Sequence, residues 1–134
     1  MPIDLERDER RGWIVARATG VTTVEDVLEL IRTSRTTIEQ RMVPMLVDAR
    51  DATGEITDAG VERAIGAVQQ AVRVGGIGGH VALVAHDDAL YVGMLRYETR
   101  CGEIGVRVIR VFRRMFDAER WLQIVSEARR FSSR

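Results

Sequence analysis

His86, Asp87 and Asp88 set an imidazole beside two carboxylates, a combination able to hold a divalent ion or to divide acid and base roles. The apolar run His80–Ala85 precedes them, so they fall at the carboxyl end of a strand, where Asp87 or Asp88 is equally suited to cap the next helix. His80 cannot join that group, because six residues of strand separate it from His86 and ~3.3 Å per residue puts them about 20 Å apart. A second polar group, Asp48, Asp51 and Thr53, lies at and just beyond the end of the apolar run Val43–Ala49. Its layout is similar to the aspartyl pocket of a receiver domain, whose chemistry needs a lysine. All 20 basic residues here are arginine, which excludes that chemistry together with Schiff-base, Walker-lysine and pyridoxal-phosphate mechanisms. The ordinary role of these aspartates is loop and helix capping and pairing with Arg50.

Three further motifs carry less. Gly75-Gly76-Ile77-Gly78-Gly79 runs from a helix into a strand, the reverse of a phosphate cradle, and reads as a flexible connection. Cys101, the only cysteine, lies on an apolar helical stripe as a small buried hydrophobe. Arg107, Arg110, Arg113 and Arg114, with Arg120, Arg129 and Arg130, are the richest basic segment and suit carboxylate or phosphate recognition. On strand alternation Arg110 shares a side with Val106, Val108 and Phe112, which calls for a ligand contact or a buried ion pair with Glu98 or Glu103.

The elements that must position these residues follow from periodicity. Ile3–Glu6 and Trp13–Thr19 form a hairpin around a polar turn. Thr22 and Glu25 match a capping box for a helix with Val24, Val27, Leu28, Ile31 and Ile38 on its stripe. Val43–Ala49 is a central strand, and Arg50–Ile56 a polar loop. Thr57 or Asp58 caps a helix with Val61, Ala64, Ile65, Val68 and Val72, stopped by Gly75 and Gly76. His80–Ala85 is a strand, and the third helix carries Leu90, Tyr91, Met94, Leu95, Glu98 and Cys101 before Gly102 and Gly105. Val106–Phe112 is the last strand, and Asp117 caps a final helix with Trp121, Leu122, Ile124, Val125 and Ala128 inward. The order β-β-α-β-α-β-α-β-α predicts an α/β fold with a mixed, mostly parallel sheet, four helices, and ligands beyond the strand carboxyl ends near a topological switch point.

Composition sets the outer limits. A chain of 134 residues that is 46% hydrophobic and 30% charged fits one globular domain, 1–134. Zero net charge argues against a nucleic-acid partner, and no apolar run reaches the ~18 residues of a membrane span. The charged N-terminus and lone cysteine place the chain in the cytoplasm. No metal or cofactor is expected, because no ligand set has the required spacing.

The element order, the segment LVDARDATGEITDAGVERA and the closing RVIRVFRRMFDAERWL together resemble the SpoIIAA-like family of STAS domains. The resemblance covers nearly the whole chain and implies a small α/β fold that binds a protein partner or a small ligand, usually without chemistry; this branch is also compared with CRAL-TRIO lipid-transfer domains. In sigma-antagonist members an Asp-Ser-Ser-Gly segment at a helix start carries a phosphorylated serine. That segment falls at Ile56–Ala59, where Thr57 stands nearest the phospho-acceptor position and neither Ser-Ser nor the following Gly is present.

Two functions are therefore in competition. The first is a non-enzymatic regulatory or ligand-binding module for a protein partner or a small apolar, anionic or lipid-like ligand, with Asp48, Arg50, Asp51, His86, Asp87, Asp88 and Arg110 as candidate contacts. The alternative is a small hydrolase-like enzyme using His86, Asp87, Asp88 and Asp48 at strand ends. A homodimer is expected through the hairpin edge or the third helix, whose Leu90, Tyr91, Met94 and Leu95 form a wide apolar face.

Overall fold

The computed structural model describes residues 3–33, 42–75 and 79–132, with residues 129–132 described in backbone only. The described elements are β1 (Ile3–Asp8), β2 (Trp13–Val21), α1 (Val24–Thr33), β3 (Met45–Thr53), α2 (Asp58–Arg73), β4 (Val81–Ala85), α3 (Asp88–Glu103), β5 (Ile109–Phe112) and α4 (Met115–Ser132). Ile38, the Gly76–Gly78 part of the glycine run, and the side chains of Arg129 and Arg130 lie outside the described residues.

The five strands form one sheet in the order β1-β2-β3-β4-β5. β1 runs antiparallel to β2, and β2 to β5 are parallel. Because this order never reverses, the described sheet has no switch point, and the expected crevice is absent from it. Crossovers of one hand along a one-way order put α1, α2 and α3 on the same face. Ala16, Val47, Leu83 and Val111 point to that face and meet Ile65, Val68, Leu90 and Cys101. α4 covers the other face, where Ala118 and Leu122 pack on Trp13, Leu46, Ala82 and Val84. Among the described residues no helix is long and apolar enough to cross a membrane.

Local chemistry moves three boundaries. β3 continues to Thr53, through the stretch that composition marks as a loop, because its residues pair with β2 as far as Val21–Thr53 across a register shift after Arg17. β5 starts only at Ile109: the backbone at Gly105 has φ 87°, and Val106 N–H returns to Cys101 C=O at 2.8 Å, closing α3 in a Schellman-type cap that Gly102 precedes. α4 begins at Met115, two residues before the expected cap, which leaves Asp117 in its first turn.

Candidate functional site

α1 begins one residue later than the Thr22–Glu25 pattern places it. Thr23 is the cap: its hydroxyl accepts the Asp26 N–H at 3.3 Å, and Asp26 Oδ2 accepts the Thr23 N–H at 2.9 Å. Thr22 is committed to the sheet instead, since its N–H donates to Thr53 C=O at 2.7 Å. Thr22 is 5% exposed, and Thr22 Oγ1 is the only fully buried side-chain polar atom without a hydrogen-bond partner among the described residues.

Thr22 is also among the described residues that line a partly open pocket of about 90 Å³ between the sheet and the helical layer. Val24, Val27, Leu30 and Ile31 of α1 form one wall, and Ala18, Ala49 and Ala64 leave room on the others. The void has a packing cause. α3 and α4 approach the strands closely, whereas the backbones of α1 and α2 make their main contacts with each other and, for α2, with α3. None of the described residues of α1 is fully buried, although its apolar stripe is well developed. The Glu25–Arg63 ion pair (2.8 Å) ties α1 to α2, and Arg63 holds the Glu25 carboxyl below its ordinary pKa. Apart from Thr22 and Tyr97, every lining side chain among the described residues is hydrocarbon or thioether. Such a lining can hold an apolar group.

The residues singled out in sequence lie elsewhere. Asp48, Arg50 and Asp51 sit on β3 itself. Arg50 forks onto Asp48 through Nε and Nη2 at 2.9 and 3.0 Å, and this bond lowers the Asp48 pKa and raises that of Arg50. His86 is exposed and hydrogen-bonds to none of the three aspartates proposed as its partners. Asp87 caps α3 by accepting the Leu90 N–H at 3.0 Å, while Asp88 accepts from Arg113 at 2.6 Å. The four residues of the enzymatic alternative thus do not form a bonded set. No group of three or more His, Cys, Asp or Glu residues able to hold a metal occurs among the described residues.

Arg110 is exposed, 5.5 Å above the Phe112 ring, and not in a buried ion pair. The alternation argument fails there because residues 106–108 are not strand. Of its two expected partners, Glu98 accepts the Val111 N–H at 2.7 Å, which occupies part of the outer edge of β5, and Glu103 pairs with Arg100 at 3.6 Å. Leu90 (0% exposed) and Met94 (8%) are buried in the core, so the α3 face expected to pair two copies is largely used internally.

No protein-family model and no curated protein matches the chain. A solved structure does. The crystal structure of an uncharacterised DUF3478-family protein from Shewanella loihica PV-4, described as having a SpoIIAA-like fold, is similar to this chain with a TM-score of 0.51 and 17% identity, covering 90% of this chain and 91% of that one. The fold is SpoIIAA-like.

On this SpoIIAA-like frame Thr57 is the N-cap of α2, exposed, with its hydroxyl accepting the Gly60 N–H at 3.1 Å. Asp58 beside it pairs with Arg96 of α3 at 3.3 Å. Sequence reasoning missed the cavity and Thr22. The available signal was the set of small residues, Ala18, Ala49 and Ala64, at inward positions where Val, Leu or Ile would have filled the space.

Proposed function

We propose that the chain is a single non-enzymatic module, residues 1–134, that binds a small apolar group in the cavity beneath α1. The observation that supports this most directly is the cavity itself: about 90 Å³ of space lined by α1, α2, α3 and the sheet, with no charged side chain among the described residues of its wall. A void of that size lowers stability. Its wall includes α1, a helix without a fully buried described residue, the kind of low-burial element that can move to admit a ligand. The SpoIIAA-like fold is compatible with a regulatory role in the cytoplasm.

The test is a titration with n-butane-saturated buffer, followed by methyl NMR. Saturable shifts at Val27, Val61 and Met94, abolished by Ala64→Leu, are expected. Shifts that never saturate, or that Ala64→Leu leaves unchanged, would remove the binding site from the account.

A further inference from the structure

We infer that the two edges of the sheet are complementary to each other, so that β1 of one copy fits against β5 of the next in a head-to-tail row, and that Glu98 is the contact that holds this row off. Among the described residues no strand lies outside β1 or β5, and an open edge is a template for pairing. β1 runs against β2, whereas β5 runs with it. Two copies side by side in the same orientation therefore bring β5 and β1 together as an antiparallel pair, with their helical layers on matching sides.

The side chains of the two edges match face by face, because residues opposite each other in a ladder share a face. Ile3 and Leu5 stand opposite Ala18 and Ala16 on the α1–α3 side, and Asp4 and Glu6 opposite Arg17 and Val15 on the α4 side. On β5, Ile109 and Val111 stand opposite Val81 and Leu83 on the α1–α3 side, and Arg110 opposite Ala82 on the α4 side. One register sets Arg110 against Asp4 of the next copy, Ile109 against its Leu5 and Val111 against its Ile3. Arg110 and Asp4 are both exposed and neither has an ion pair among the described residues, while Leu5 is 45% exposed. Two-fold pairing of β1 with itself does the opposite: it sets the row Asp4, Glu6 and Asp8 against the same row, and like charges directly opposite repel. The partner that fits each edge is thus the other edge, a heterologous contact that grows into a row instead of closing as a pair. Glu98 of α3 stands in the way. It accepts the Val111 N–H at 2.7 Å, and in a strand of four residues only alternate ones turn an N–H outward, so half of the donors that a second copy needs are already taken.

The experiment is sedimentation velocity of the full chain over a range of concentrations. Wild type and Glu98→Gln, which keeps an acceptor for the Val111 N–H, are expected to hold one mass throughout. Glu98→Ala should grow past the mass of two chains as the concentration rises. Adding Asp4→Arg to Glu98→Ala sets arginine against Arg110 and should return the wild-type mass; adding Arg110→Asp as well should restore growth. An unchanged mass for Glu98→Ala would overturn the inference. So would growth that persists with Asp4→Arg, or that Arg110→Asp fails to restore, since an edge that is merely sticky takes no account of charge. Growth already in the wild type would overturn the role given to Glu98. If Glu98→Ala does not fold, Glu98→Asp takes its place: its carboxylate falls one methylene short of the Val111 N–H, the same growth is expected, and a constant mass would count against the inference.

Discussion

Ala64→Leu should make the protein more stable, against the usual direction of core substitutions. Ala64 is 2% exposed, on the inner face of α2, and its methyl borders the cavity. Leucine adds three carbons, about the content of a 90 Å³ space. Two independent estimates agree on the gain. Removing a void of 90 Å³ at ~24 cal/mol per Å³ is worth about 2 kcal/mol. Burying three further carbons at ~0.8 kcal/mol each gives a similar figure. For a domain of 134 residues, that corresponds to a rise in Tm of roughly 5–10 °C. Differential scanning calorimetry of both proteins at pH 7 reads it directly. If the space were already filled, leucine would overpack the layer and cost ~1–3 kcal/mol; a lower Tm would therefore refute the reasoning.

Other substitutions probe the supports of the site. Gly54 has φ 151°, and a Cβ there would run into the Thr22 carbonyl oxygen; Gly54→Ala should cost about 2 kcal/mol or more, while Gly66→Ala, in open space on α2, should stabilise by ~0.5–1 kcal/mol in a urea titration. Thr57→Ala removes the α2 cap and should cost about 1 kcal/mol in the same titration. Asp48→Asn removes the Arg50 fork and should cost about 1 kcal/mol or less at pH 7. Because the folded Asp48 pKa is depressed, that stability is complete above the unfolded value near ~4 and is lost as pH falls through the folded one, so the melting curves of mutant and wild type should converge in acid. Cys101 is fully buried, and burial pushes its thiol pKa up to about 11; iodoacetamide at pH 7.5 should label it far more slowly in the folded protein than in urea.

Much of the frame was legible because periodicity reports directly on burial. The alternation of apolar runs and helical stripes located all nine described elements, and Thr57 and Asp87 cap α2 and α3 as their chemistry suggests. Boundaries were harder where pairing overrode composition. Arg50 to Thr53 are polar enough for a loop, yet the open ladder of β2 beside them draws them into β3. Gly105 ends α3 so tightly that Val106–Val108 cannot be strand, and the alternation that would bury Arg110 does not apply. The cavity was the least legible feature. A stripe of Val24, Val27 and Ile31 tells which side of α1 is apolar, but not how far that side stands from the sheet. The Thr22–Glu25 pattern placed the α1 cap one residue early; the Thr22 N–H bond to Thr53 C=O holds Thr22 in the sheet, and Thr23 caps the helix instead.

The most direct test of the account is a xenon-pressurised crystal of the wild-type protein, because xenon enters small apolar voids and scatters strongly. The account predicts a xenon atom between α1 and the sheet, in contact with Val27, Val47, Ala64 and Met94, the residues that line the cavity. Side chains closed over that space, with xenon elsewhere or nowhere, would contradict it.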